Sequence, residues 1–430
     1  MRMKPARSLV AATLAAALLG GGLAACGDDS DAAAPASDSK ADTTPGGSDQ
    51  GATSSAALTP KGTGNPFADA ITAAGHMPMT AKALAGGIAT ATKMKGSADS
   101  DAAELRSGLT YLLTEHVYLA GIAVATAYHA GADSPEFQLA AEAVDDNSTR
   151  VAAAIGAVAP DEEQGFLERW RNHVTDFVNY AVAAKTKDDA GKKKAVSNLT
   201  AYAKSSGAFF EKISGGTMKA KDVEAAFNEH IGGLAKAVDL FATGDTKAYA
   251  ALKTAAAHMP MMAEYLADGV DKATKGDGDP NDEASALRAT LTDYLTSHVY
   301  LAGVAVFTAY TAGADSGAFK ASAAAVDTNS KDIAEAVGSI AGKDKGDAFY
   351  TTWAKHVSDF VDYAVADAAN DQAKKDSALA NLDAYRKSSG AFFETITNGT
   401  IPASAVEEEL KMHIETTAGV IDSLKAALVK

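Results

Sequence analysis

The chain contains very little cysteine, few aromatic residues and no excess of positive charge. Its 430 residues include one cysteine, two tryptophans and 7% aromatic residues, and the formal net charge is −16. A single cysteine excludes disulfide bonds within the chain and any metal cluster that one chain would hold through several thiolates. The acidic balance, without a basic stripe in the sequence, argues against binding to nucleic acid.

Residues 1–25 have the composition of a lipoprotein signal peptide. Three basic residues precede a short apolar run at 9–19, which is too short to span a membrane as a helix. The last three residues of this segment and the next one, Leu23-Ala24-Ala25-Cys26, resemble the bacterial lipobox. The lipobox cysteine is lipidated and becomes the first residue of the mature protein. The sequence therefore predicts an extracytoplasmic protein that acyl chains on Cys26 anchor to a cell membrane; the alternative is an ordinary cleaved signal peptide.

Residues 26–65 are rich in alanine, serine, aspartate, threonine, glycine and proline and contain almost no large apolar side chain. Such a segment cannot bury enough apolar surface to collapse, so we predict a disordered tether. The remaining chain is a tandem repeat, because His116–Gly121 returns unchanged 182 residues later as His298–Gly303. We place repeat 1 at 66–243 and repeat 2 at 244–430. Alanine-rich segments with helical periodicity, separated by glycine and proline, predict an all-α protein with two tandem antiparallel bundles of about six helices each.

Histidines fall on the apolar faces of these predicted helices. Leu109, Leu112, His116 and Leu119 follow each other at steps of three and four, the spacing of one helix face. Eight of the nine histidines form two equivalent sets near helix midpoints, each with one asparagine. The sets are His76, His116, His173 and His230 with Asn147, and His258, His298, His356 and His413 with Asn329.

Helix midpoints in an antiparallel bundle lie at similar heights, so we expect the four imidazoles of each set to converge in one layer. Burial favours the neutral form of histidine, which is the form that ligates metals. Each unpaired buried ring nitrogen would otherwise cost about 1–3 kcal/mol. The sequence thus predicts a metal-binding layer in each bundle; a hydrogen-bonded His/Asn layer that fixes helix register is the alternative.

The motif His-Met-Pro-Met bears on the identity of the metal. Met79 can share a helix face with His76, and Met261 with His258, and thioether with imidazole suits copper, whereas imidazole alone also suits zinc. Non-covalent haem between two histidines stays open as well. The prolines of this motif lie inside helical patterns and predict a kink. Asp176 and Asp359, three residues after ligand candidates, are candidate outer partners of the site together with the two asparagines.

Several segments resemble helical repeats of secreted Gram-positive proteins that are often labelled copper amine oxidase-like. The resemblance is carried by Leu109–Ala120, Ala257–Met261, Trp353–Tyr363 and Asp371–Phe393, and it extends over nearly all of 66–430. It implies a secreted helical protein but not amine oxidation. Amine oxidases are β-rich and derive their quinone from the tyrosine of Asn-Tyr-Asp/Glu, whereas Asn179-Tyr180 is followed here by alanine.

These patterns predict a membrane-anchored binding protein that holds a transition metal, copper foremost, for buffering or for transfer to a partner protein. The rival prediction is an envelope scaffold or sensor with a structural histidine layer. No nucleophile–base pair or carboxylate pair stands out in the sequence, so we expect no enzymatic activity.

Overall fold

The computed structural model describes residues 58–429, and these residues are almost entirely helical. The helices are α1 Pro66–Gly75, α2 Met77–Thr92, α3 Asp101–Ala130, α4 Pro135–Val158, α5 Glu163–Thr186, α6 Asp189–Ile213, α7 Ala220–Thr243, α8 Ala248–Ala256, α9 Met259–Thr274, α10 Glu283–Ala312, α11 Gly317–Ala341, α12 Lys343–Ala368, α13 Gln372–Ile396 and α14 Ala403–Leu428. Between 58 and 429 there is no β-strand. The predicted all-α fold with two related sets of helices is confirmed.

Equivalent helices of the two repeats begin and end with equivalent signals. The Ser134 hydroxyl accepts a hydrogen bond from the Phe137 amide at 3.1 Å at the start of α4, and Ser316 does the same for Phe319 at 3.0 Å at the start of α11. Such caps satisfy amides that have no partner within the helix. The preceding helices α3 and α10 both end at a glycine with positive φ, a conformation that glycine adopts without strain.

Each His-Met-Pro-Met segment breaks what the sequence predicts as one helix. Helix α1 ends at Gly75 and α2 begins at Met77, with Pro78 in its first turn. Proline has no amide hydrogen, and its ring clashes with the carbonyl four residues earlier in a continuous helix. The same break separates α8 from α9 at His258. The predicted kink is therefore a complete interruption at the histidine.

The two 30-residue helices α3 and α10 pack against each other at the centre of the molecule. The rings of Tyr118 and Tyr300 stack at 5.6 Å with an interplanar angle of 11°. The hydroxyls of Ser107 and Thr292 lie 2.7 Å apart in the same buried interface. Helix α3 is also long and apolar enough to cross a membrane, but 78% of its most apolar stretch is buried within the protein. A core helix meets the same criteria.

The first two helices of each repeat pack on the other repeat. Helices α1 and α2 pack on α14 and α10, whereas α8 and α9 pack on α7 and α3. Equivalent backbone hydrogen bonds fix the two crossings: Ala102 N donates to Asp277 O at 3.0 Å, and Ala284 N donates to Lys95 O at 3.1 Å. We call 101–274 half A, and 283–429 together with 66–92 half B. Packing therefore runs across the sequence boundary near residue 244.

Two central arginines hold these crossings in place. Arg288 on α10 is buried and pairs with Glu104 at 2.6 Å, and it also donates to the carbonyl of Ala98 at 2.8 Å. Its counterpart Arg106 on α3 donates to the carbonyl of Pro280 at 2.7 Å. A buried guanidinium left unpaired is strongly destabilising. These contacts therefore disfavour any arrangement in which the linkers do not cross.

Candidate metal centres

Three histidines meet in the core of each half. Triad A comprises His116 on α3, His173 on α5 and His230 on α7, and triad B comprises His298 on α10, His356 on α12 and His413 on α14. In each triad the ligating atoms lie within 4.8 Å of one another. Nitrogens that share one ion, with bonds of about 2.0–2.1 Å, lie within about 4 Å of each other, so small ring rotations bring a triad to bonding distance. Each triad can hold a metal ion through three imidazoles.

The two triads have almost the same geometry. The ring centroid of His116 lies 5.4 Å from that of His173 and 6.0 Å from that of His230. The equivalent separations in triad B are 5.3 and 5.8 Å. All six side chains are at most 4% exposed. The three-four spacing of the sequence put these side chains on the core faces of three different helices, and the packing of those helices brings them together.

Aromatic rings restrict the orientation of the imidazoles. The ring of His173 stacks on that of Tyr202 with centroids 4.5 Å apart, and it meets the ring of Trp170 in a T-shaped contact with centroids 4.6 Å apart. In triad B, His356 stacks on Tyr385 at 4.3 Å. Side chains whose rotamers are held by packing make a preorganised site. A cavity of about 290 Å³ reaches His116 and one of about 410 Å³ reaches His298, so non-covalent haem stays an open prediction.

Burial keeps the imidazoles neutral. It lowers the pKa of His116 and His298 to about 3, that of His230 and His413 to about 4, and those of His173 and His356 well below 6.5. In His116, repulsion from His230 adds to the effect of burial on the pKa. A neutral imidazole has one nitrogen with a free lone pair. At neutral pH the triads therefore present uncharged ligands.

Many ring nitrogens of the triads have no hydrogen-bond partner. These are Nδ1 of His116, His173, His230, His298 and His356, and Nε2 of His356 and His413. The Nδ1 atom of His413 lies 3.4 Å from the hydroxyl of Thr417. A buried polar atom without a partner costs about 1–3 kcal/mol. A layer with a purely structural role would be expected to pair these atoms.

The fourth histidine of each predicted set lies outside the triads. His76 and His258 are half-buried at the helix breaks. His258 Nδ1 lies 3.3 Å from a carboxylate oxygen of Glu229, the residue before His230 in triad A. Sets of four that stay within one repeat, as predicted, are therefore corrected to sets of three. The prediction assumed that each repeat packs on itself, whereas the first two helices of each repeat cross to the other.

The predicted methionine ligands are also corrected. Met79 and Met261 are 53% and 58% exposed, so neither lines a triad. Their neighbours Met77 and Met259 are buried instead. Met77 lines a cavity of about 60 Å³ together with two residues of triad B, His298 and His413. Because the helix restarts after the histidine, the first methionine of the motif faces the core and the second faces solvent.

The two predicted asparagines brace the helices that carry the central histidines. The Asn147 side-chain amide donates to the carbonyl of Leu112 at 3.0 Å, and Asn329 donates to the carbonyl of Tyr294 at 3.1 Å. These bonds tie α4 to α3 and α11 to α10. Asn147 also raises the pKa of His116, against the larger effects of burial and of His230, although its Oδ1 makes no hydrogen bond of normal geometry.

The two predicted aspartates brace a different pair of helices. Asp176 accepts a hydrogen bond from Asn198 at 2.8 Å, and Asp359 accepts one from Asn381 at 3.2 Å. Asp359 is buried and also accepts from Lys355 at 2.7 Å. The aspartates thus tie α5 to α6 and α12 to α13, in equivalent positions of the two repeats. The partners of both aspartates are asparagine and lysine side chains. The aspartates therefore position the helices that carry the triad histidines.

Sequence reasoning missed a buried carboxylate beside triad A. Glu115 is 0% exposed and accepts hydrogen bonds from Tyr111 at 2.6 Å and from Tyr300 at 2.9 Å. It also pairs with Arg150, which neutralises its charge. An acidic residue in the middle of an apolar helix was the available signal. The equivalent position in repeat 2 is Ser297, so this carboxylate has no counterpart at that position of the second repeat.

Comparison with protein families, with curated proteins and with solved structures finds no match to this chain. The resemblance to amine oxidase-like segments therefore stays a prediction. Cys26, the signal peptide and nearly all of the tether lie outside the described residues, so the lipid anchor is also a prediction that the structure does not address.

Proposed function

We propose that this protein is a membrane-anchored, extracytoplasmic metal-binding protein that holds one transition metal ion in each triad, for buffering or for transfer to a partner protein. The observation that carries the proposal is the convergence of three buried imidazoles, twice, with ligating atoms within 4.8 Å. Their neutral state at physiological pH and their unpartnered nitrogens support it. No role as an enzyme is part of the proposal.

Copper(I) is the ion that fits the triads best. Burial keeps the three imidazoles of each triad uncharged at neutral pH, so the site would retain the full charge of the ion. The cost of burying an ion rises with the square of its charge, and it is therefore lower for copper(I) than for zinc(II). Imidazole ligands suit both metals. Copper is therefore favoured because the site is buried. The sequence favoured it because of thioether ligands from Met79 and Met261, which do not line the triads.

The metal content of the protein tests the proposal. The protein, purified anaerobically and without an affinity tag, is titrated with copper(I) and, separately, with zinc(II) against a competing chromophoric chelator. We expect two equivalents of copper(I) per chain, because the triads have nearly the same geometry. Zinc bound at two equivalents with higher affinity would change the identity of the metal. Failure of both ions to bind would support a scaffold with a structural histidine layer.

The location of the protein at the membrane is tested separately. A Cys26→Ser substitution is expected to move the protein from the membrane fraction to the soluble fraction, because the lipobox cysteine carries the acyl chains that anchor the protein. Incorporation of a radiolabelled fatty acid should disappear at the same time. Ser30→Ala, in the same tether, is the matched control and should remain membrane-bound. A Cys26→Ser protein that stays in the membrane fraction would contradict the anchor.

A further inference from the structure

Two exposed methionines stand beside half-buried histidines at the helix breaks. In the described part of the chain, Met79 and Met261 are the only exposed methionines. Each methionine lies three residues after a histidine, His76 or His258, so thioether and imidazole lie on the same side of the first helical turn. Both repeats present this soft ligand pair to solvent.

A carboxylate accompanies each pair. In port A, defined by His258, Met261 and Glu229, the carboxylate lies 3.3 Å from Nδ1 of the histidine. In port B, defined by His76, Met79 and Glu409, the carboxylate accepts a hydrogen bond from Thr80 at 2.9 Å, and the Thr80 amide donates to the carbonyl of the histidine at 3.2 Å.

Each port adjoins the triad of the other sequence repeat. Glu229 of port A directly precedes His230 of triad A on α7. Glu409 of port B lies one helical turn before His413 of triad B, and the cavity of about 60 Å³ contains both residues in its lining. Burial lowers the pKa of His230, and electrostatic repulsion from the nearby His258 lowers it further.

We propose that the two His-Met-Pro-Met segments are capture sites that load copper(I) into the triads, and that each segment loads the triad of the other repeat. This inference rests on the proposed function. Thioether and imidazole are soft ligands that select copper(I). Transfer exchanges these ligands for the three imidazoles of a triad. The ion keeps its charge, and the triad takes it up without releasing a proton, because the triad rings are already neutral.

The test uses proteins with only one working triad. A His298→Gln background retains triad A, and a His116→Gln background retains triad B. Met261→Leu or Met79→Leu is added to each background, since leucine keeps the shape of an exposed side chain without a thioether. Copper(I) is supplied as its bicinchoninate complex, and the decay of the complex's absorbance in stopped flow gives the loading rate.

With triad A working, we expect Met261→Leu to slow loading by about tenfold, since a capture site makes the second binding step intramolecular. The cross-control Met79→Leu should have little effect in that background, and the pattern should reverse with triad B working. Final occupancy should stay at one equivalent throughout. Equal rates in all variants, or an effect that follows the sequence repeat, would overturn the inference while leaving metal binding intact. Parent backgrounds that bind no copper(I) would instead overturn the proposed function.

Discussion

Replacement of His116 by glutamine is expected to remove one of the two bound metal ions and to leave the other in place. The triad would lose one of its three ligands, and the glutamine amide is a poor substitute for imidazole. Loss of an outer-shell partner alone costs about 10–100-fold in metal affinity, so loss of a ligand should cost more than about 100-fold. Triad B shares no ligand with triad A and should retain its affinity.

The measurement is a competition titration with copper(I), followed by the metal content of the dialysed protein. His298→Gln should show the mirror-image result, and the double variant should bind no ion at either triad. His129→Gln is the matched control, because His129 is an exposed histidine outside both triads. Two equivalents bound by the His116→Gln, His298→Gln protein would show that the metal binds elsewhere.

The metal-free protein is expected to lose stability steeply as pH falls from about 6.5 to 5. In the unfolded chain a histidine takes up a proton near pH 6.5, whereas burial lowers the pKa of the folded His116 and His298 to about 3. In this window the unfolded state binds more protons, so protonation favours unfolding. Each such ring contributes about 1.4 kcal/mol per pH unit, and six act together, against a total stability of about 5–15 kcal/mol.

One buried group acts in the opposite direction. Burial raises the pKa of Asp293 to about 7, against the lowering by a hydrogen bond from Thr114, so the folded state gains a proton there as pH falls. This proton uptake by Asp293 offsets roughly the contribution of one of the six histidines to the pH dependence of stability. Urea unfolding followed by circular dichroism, at steps from pH 7.5 to 5, measures the slope. Saturation with copper(I) should shift the loss of stability to lower pH, because the ion competes with protons for the same nitrogens. A flat profile above pH 5 would show that the triads are not buried neutral bases.

Each half is built from helices of both repeats, so neither half is formed by one repeat alone. Helices α1 and α2 begin the chain but complete half B, and α8 and α9 complete half A. The crossing linkers are held by Arg106 and Arg288, each bound to the carbonyl of the opposite linker. In this arrangement a port from one repeat comes to lie against the triad of the other.

The repeat pattern and the periodicity of the sequence determined the fold class and the core position of the six triad histidines. Periodicity assigns a side chain to a face of its own helix, and it placed His116, His173 and His230 on core faces. The sequence also predicted a kink at Pro78, which the structure shows to be a complete break between α1 and α2.

Only the tertiary structure decided which histidines meet. His76 and His258 lie near the midpoints of their predicted helices, but a midpoint does not identify the neighbouring helix. The helices that flank these two histidines pack on the other repeat. The direction of Met79 and Met261 was also decided there, because a helix that restarts after a break has its faces set by the new first turn and not by the turns before it. Local sequence determines the face of a helix, and packing between distant segments determines what that face meets.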